Sequence, residues 1–251
     1  MKDLVIWDAN IVFGRSFSRC WEPITSTRQL LQEMDRYGIE KVLLWHIAQL
    51  EYSASEGNEL VSKLVRKEKR LAGCWSLLPP ITGEMESNFL EKMEENNIVA
   101  LRLFPEQHRF LLRRRVLSPF FDEVVKRRVP VILSVKWGLS WTTIYDFLED
   151  YPELSCILCD IGIWGTNRYT WPLLSSFPRV FLESSLLSLT AGALEATVRK
   201  FGAGRVIFGS GFPERYVDAA ILDLVHAQLS TEEKKTIAWE NLKKLCSWVK
   251  L

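Results

Sequence analysis

Ser118-Pro119-Phe120-Phe121-Asp122-Glu123-Val124-Val125-Lys126-Arg127-Arg128-Val129-Pro130-Val131-Ile132-Leu133-Ser134-Val135 packs a helix and a strand into one short stretch. Phe120, Phe121, Val124 and Val125 recur at helical spacing, with Ser118 as N-cap and Pro119 at the first helical position. Val129-Pro130 ends that pattern, and Val131–Val135 is a short apolar run of strand character. The same alternation extends in both directions. Strands are expected at Leu4–Trp7, Lys41–Trp45, Ala72–Ser76, Ala100–Phe104, Val131–Val135, Cys156–Cys159, Val180–Glu183 and Arg205–Gly209. Eight runs, each followed by room for a helix, predict a single α/β domain over residues 1–251, a (β/α)8 TIM barrel. An open doubly wound sheet is the alternative. Against it, Trp7-Asp8-Ala9-Asn10 stands where a glycine-rich phosphate turn would follow the first strand. Helices are also expected over Thr27–Tyr37, stopped by Gly38, and from Thr231–Lys235, capped by Ser230 or Thr231.

Composition narrows the function classes. The chain has 251 residues, 47% hydrophobic, with 32 basic against 31 acidic side chains, which excludes general disorder. A formal charge of +1 gives no pull toward nucleic acid or an anionic membrane, so neither is expected as a partner. Five cysteines in so long a chain make no disulfide framework. Asp3 and Asp8 interrupt any secretory apolar segment near the start, and no charge-free stretch approaches the roughly 18 residues of a membrane helix. A cytoplasmic location is the expectation, with self-association left open. The ten tryptophans are expected to fill the core.

Several stretches in order resemble the amidohydrolase superfamily, in its amidohydrolase-related, carboxymuconate-semialdehyde decarboxylase-like branch. Val5-Ile6-Trp7-Asp8-Ala9-Asn10-Ile11-Val12 resembles the opening "I-D-x-H-x-H" strand, and Met34–Val42 the first helix running into the second strand. Leu101-Arg102-Leu103-Phe104-Pro105 is similar to the fourth strand and Val129–Ser134 to "P-V-x-I-H" on the fifth. Tyr151-Pro152-Glu153-Leu154 to Asp160-Ile161-Gly162 is similar to "F-P-x-L…H-x-G". Arg205–Pro213 is similar to "R-V-L-F-G-S-D-Y-P" on the eighth. The resemblance implies a hydrolase or lyase whose divalent metal is held by imidazoles and a carboxylate. At the implied ligand positions this chain carries Asn10, Val12, Ser134, Asp160 and Gly211, so no metal and no other cofactor is expected.

Strand parity selects the remaining candidates, because active groups in a barrel sit at the C-terminal strand ends. Asp8 is expected on one face with Asn10. Lys136, two residues past Ser134, is expected to project into the mouth and pair with Asp160. Asp160, Lys136 and Asp8 are thus the catalytic candidates; Asn10, Arg102, Ser134, Glu183, Arg215 and His46 are the candidates for binding a small anionic substrate. His108, His226 and the basic run Arg113-Arg114-Arg115 are expected to be structural or solvated, and Cys156 and Cys159 to be buried on opposite faces of a strand. Two functions fit. One is a metal-free enzyme that hydrolyses an activated ester or lactone, or decarboxylates, with Asp160 as base. The other is a non-catalytic barrel that binds a metabolite or a partner. A third reading places a hard cation on Asp8, Asn10 and Asp160.

Overall fold

A computed structural model describes residues 4–18, 21–162, 168–187, 190–247 and 249. Eight parallel strands lie in sequence order: β1 (Ile6–Phe13), β2 (Ile39–His46), β3 (Leu71–Ser76), β4 (Ile98–Arg102), β5 (Val131–Ser134), β6 (Cys156–Cys159), β7 (Val180–Glu183) and β8 (Val206–Ile207). A principal helix follows each: α1 (Thr27–Tyr37), α2 (Ala54–Val65), α3 (Phe89–Glu95), α4 (Phe120–Lys126), α5 (Trp141–Asp150), α6 (Thr170–Ser176), α7 (Ala193–Phe201) and α8 (Val217–His226). The protein is a (β/α)8 barrel.

Alternation along the strands sorts the core into two layers. Leu43, Trp45, Ala72, Cys74, Ile157 and Cys159 pack inside the barrel, while Val42, Leu44, Leu71, Cys156 and Leu158 pack outward against the helices. Cys156 and Cys159 therefore do face opposite layers, as free and fully buried thiols. Helix α1 forms over its expected span: Ser26 accepts from the Gln29 N–H, and Gly38 closes it at φ 68°, a conformation that favours glycine.

Several boundaries differ from expectation, three of them with a clear physical cause. Strand β1 runs on to Phe13, because the polar Asp8 and Asn10 find buried partners instead of ending it. The β8 ladder shrinks to two residues, because the Gly209 N–H turns to Ser184 Oγ (3.2 Å) and the Ser210 N–H to Asp8 Oδ1 (3.0 Å). Helix α4 begins after Pro119, not Ser118, and the Ser118 hydroxyl donates to the Asp122 carboxylate, leaving the helix N–H groups uncapped by it.

The floor of the barrel is closed by the segment after α8. A helix starts at Thr231 behind a capping box in which Ser230 and Glu233 exchange bonds, and it continues through a wider turn at Thr236–Glu240 into Asn241–Ser247. Trp239 packs on Trp7 (ring centroids 5.4 Å apart), and Leu242 and Leu245 enter the inner layer. The buried Asn241 amide donates to the carbonyls of Ala203 (2.8 Å) and Val206 (2.7 Å), which holds the start of β8 to this floor. Asn241→Leu would strand both acceptors. A loss of about 2 kcal/mol in urea unfolding is expected, from one to three for each buried group left unpaired; a loss below about 0.5 kcal/mol would contradict this role.

Candidate functional site

At the C-terminal end of the barrel, five strands deliver polar side chains to one place. Arg102, ending β4, is 1% exposed; its Nη1 donates to Asn10 Oδ1 (3.1 Å), its guanidinium lies 4.6 Å above the Trp45 ring, and its Nη2 is 4.0 Å from Asp160 Oδ2. Asp160 follows β6 in the left-handed region (φ 61°), which a short polar residue tolerates better than most. Its Oδ1 accepts from Arg215 Nη1 (2.8 Å), and its Oδ2 accepts from the Ser134 hydroxyl at the end of β5. Burial alone would raise the Asp160 carboxyl, but the two guanidinium groups and these hydrogen bonds hold it below its ordinary value, and so ionised.

Glu183, ending β7, is fully buried beside it. It accepts from Asn10 Nδ2 (3.2 Å), Ser185 Oγ (2.8 Å) and the Ser185 N–H. Burial, and then the negative charge of Asp160, push its carboxyl up to about 7 against the pull of the Ser185 hydrogen bonds. The two carboxyls are thus driven apart by their surroundings, one kept ionised and one poised near neutrality.

Two glycines make this arrangement possible. A Cβ on Gly209 would lie 2.5 Å from the Glu183 side chain, and a Cβ on Gly211 would lie 2.4 Å from Arg215 Nη1. The bare backbone after β8 therefore seats a carboxyl at one position and a guanidinium two residues on. Neither glycine was singled out by sequence reasoning for this; the Gly-x-Gly alternation just past a strand is the signal that could have done so.

The expected set divides accordingly. Asn10, Arg102, Ser134, Asp160, Glu183 and Arg215 come together. The expected Lys136–Asp160 pair does not form. Strand β5 stops at Ser134 and the chain turns through Val135–Trp137, so alternation no longer predicts where Lys136 points. Its ammonium pairs with Glu214, a residue missed in the sequence, and lies 4.7 Å from the Trp137 ring. Asp8 also departs from expectation. The β1–β2 register shifts between Asp8 and Ile11; Trp7, Ala9 and Val12 face inward, while Ile6, Ile11 and Phe13 face outward. This bulge separates Asp8 from Asn10, and Asp8 Oδ1 accepts from the N–H groups of Asn10 (2.9 Å) and Ser210 (3.0 Å). Asp8 is a fastening between β1 and the β8 end, not a group of the mouth. His46 is structural too. Its Nδ1 accepts from the Ala48 N–H (3.0 Å), its ring fills the space beside Gly14, and burial lowers its pKa to about 4. His108 is tied to the Gln49 carbonyl (2.7 Å), and Arg113 to Asp146 (2.6 Å) and Asp150 (3.0 Å).

Lys136 does reach the mouth as expected, paired with Glu214: both line, with Asn10, Trp45, Arg102, Trp137, Asp160 and Arg215, a cavity of only about 10 Å³, room for about one water. A larger groove of about 320 Å³ lies outside the barrel, between α2 and the segment leading into α3. Its cations Lys63, Arg66 and Lys92 are engaged by Glu59, Asn96 and Glu86, and the barrel-mouth residues take no part in it.

The comparisons with known proteins agree with this architecture. The amidohydrolase family model matches residues 31–245, and the chain belongs to that family. No curated protein matches the sequence. Among solved structures it is similar to an uncharacterised TIM-barrel protein from Bordetella bronchiseptica, with 16% identity, a TM-score of 0.76, and coverage of 98% of this chain and 99% of that one. It is also similar to a 5-carboxyvanillate decarboxylase from Novosphingobium aromaticivorans complexed with manganese, with 13% identity, a TM-score of 0.76, and coverage of 98% and 97%. A 2,6-dihydroxybenzoate decarboxylase from Rhizobium gives 14% identity and a TM-score of 0.69, with coverage of 97% and 99%. At these identities the likeness establishes the fold.

The family resemblance implies a divalent metal at this end of the barrel. Asn10, Val12, Ser134, Asp160 and Gly211 supply a single carboxylate, and its two oxygens are already engaged by a guanidinium and a hydroxyl. Among the described residues no three of His, Cys, Asp and Glu gather as ligands. The hard-cation set of Asp8, Asn10 and Asp160 is not assembled, because Asp8 faces the strand junction.

The raised Glu183 carboxyl makes stability depend on pH. Between the usual 4.5 and about 7 the folded protein holds a proton that the unfolded chain has lost. That contribution is complete below 4.5 and disappears as pH rises through about 7, with a slope approaching ~1.4 kcal/mol per pH unit. Asp8, raised by burial, adds the same sign; Asp160, lowered, acts only at more acid pH. His46, lowered to about 4 by burial, and His108, also lowered, act with the opposite sign over the same range, so the Glu183 contribution is read by difference: the stability of the wild type minus that of Glu183→Gln in urea unfolding should fall between pH 4.5 and 7. An unchanged slope in the variant would refute the assignment.

Proposed function

We propose that the barrel mouth binds a small monoanionic metabolite, a carboxylate, and acts on it without a divalent metal. One observation carries this reading: buried donors gather around Arg102 with no acceptor among the described residues. Arg102 Nε and Trp45 Nε1 both lack partners among the described residues, and Trp45 lies beneath the Arg102 guanidinium. Buried donors without acceptors are rare in folded proteins and favour a ligand that brings oxygen acceptors. The charge agrees. With Glu183 protonated, Arg102 and Arg215 against Asp160 leave one net positive charge, matched to one anionic group.

The same donors suit a reaction in which an oxyanion develops, such as hydrolysis of an activated ester or lactone, or decarboxylation. Arg102 would orient the carboxylate through its free guanidinium edge, a geometry a lysine does not reproduce. Asp160, held ionised, would accept a hydrogen bond and fix orientation, while Glu183, one hydrogen bond behind the cavity through Asn10, would set the charge of the site by holding its proton. The small cavity favours a second reading, a binding protein without turnover, in which the mouth opens only to admit a ligand.

Titration with acetate, pyruvate and benzoate, followed by tryptophan fluorescence, tests the proposal. Saturable binding is expected, weakened about 10–100-fold in Arg102→Met, from the 1.5–3 kcal/mol of a charged hydrogen bond. It should weaken again above about pH 7 as Glu183 ionises, and be unchanged by a chelator. Binding that survives Arg102→Met, or a stoichiometric divalent metal in the purified protein that binding requires, would overturn it. Assays for ester hydrolysis and carbon dioxide release then decide between enzyme and binder.

A further inference from the structure

The geometry around Gly211 points to a choice of cation made by one residue. A Cβ there would lie 2.4 Å from Arg215 Nη1 and in ordinary contact, 3.4 Å, with Cδ and Cζ, so the tip of the arginine occupies the space a side chain at 211 would fill. Gly211 itself sits at φ +70°, which glycine adopts without strain. From that seat Nη1 donates to Asp160 Oδ1 (2.8 Å) and Ser185 Oγ (3.3 Å). Arg102 approaches the other Asp160 oxygen at 4.0 Å, and Ser134 donates to it.

We propose that Gly211 determines which cation this site holds: lacking a side chain, it seats the Arg215 guanidinium against Asp160 and so closes the mouth to a divalent ion. A metal ion must find lone pairs on Asp160 that face the cavity, and Arg215 takes one oxygen while repelling a second positive charge nearby. The guanidinium also offers what an ion does not. It is tethered, always charged, and directs its N–H groups along fixed lines. Arg215 is thereby a positioning residue for Asp160, and Gly211 is a specificity-determining position although it bears no functional group. This rests on reading the barrel mouth as the functional site, but its readout is metal binding, so it and the anion-binding proposal fail separately.

Mn²⁺ alone is the probe, titrated at neutral pH into the full chain and followed by electron paramagnetic resonance of the free ion, with near-ultraviolet circular dichroism as the folding control. Arg215→Met is expected to bind Mn²⁺ at least tenfold more tightly than the wild type, and Asp160→Asn in the same background should remove that gain. Gly211→Ala keeps the arginine but denies its seat; it should shift Mn²⁺ affinity in the same direction, by a smaller factor, and it carries the test if Arg215→Met does not fold. Equal Mn²⁺ affinity in wild type and variants overturns the proposal. So does a gain that survives Asp160→Asn, because the ion would then sit elsewhere.

Discussion

The seam between β1 and the end of β8 is the constraint on which the rest depends. Three hydrogen bonds span it: the Ala9 N–H to the Phe208 carbonyl (3.0 Å), the Ser210 N–H to Asp8 Oδ1 (3.0 Å), and the Val12 N–H to the Phe212 carbonyl (3.0 Å). Because β8 contributes only two ladder residues, a carboxylate does part of the work that backbone pairing does between the other strands. Recruiting Asp8 for this costs β1 its strict alternation. The bulge that turns Asp8 to the seam also turns Asn10 inward, where its amide touches both Glu183 and Arg102. Closure of the sheet and assembly of the polar mouth therefore follow from the same local distortion.

Burying Arg102 and two carboxyls in one barrel, with Arg215 half-buried beside them, is unfavourable unless each finds partners. Here the solution is mutual. Asp160 is shared by Arg215, Arg102 and Ser134, and Glu183 is surrounded by donors, with a raised pKa in place of a second full negative charge. The Lys136–Glu214 pair, nearer solvent, spans from the turn after β5 to the loop after β8 above this cluster. Two consecutive residues, Glu214 and Arg215, thus hold the same loop to two different parts of the barrel.

Much of this was legible in the sequence. Eight β-branched runs separated by helical periodicity specify the barrel, and residues at the C-terminal strand ends (Arg102, Ser134, Asp160 and Glu183) meet because the fold brings those ends together. What was not legible depends on departures from regular geometry. Period-two reasoning fails for Lys136 because β5 has already ended, and for Asp8 because an inserted residue inverts the phase. Glycine seats escape it for a different reason: the pattern of a strand records which side chains are present, whereas Gly209 and Gly211 act through atoms they lack.

The seam has a kinetic side. Ser210 and Asp8 are 202 positions apart, and the Trp7–Trp239 contact beneath them joins regions still more distant. Contacts of such separation carry the largest loop-closure cost, and until they form the sheet has two raw edges. Such edges invite pairing with other chains. One of them is β8, two residues long and flanked by glycine, which offers an incoming strand almost nothing to extend. The economy of that last strand limits self-recognition while the barrel is still open.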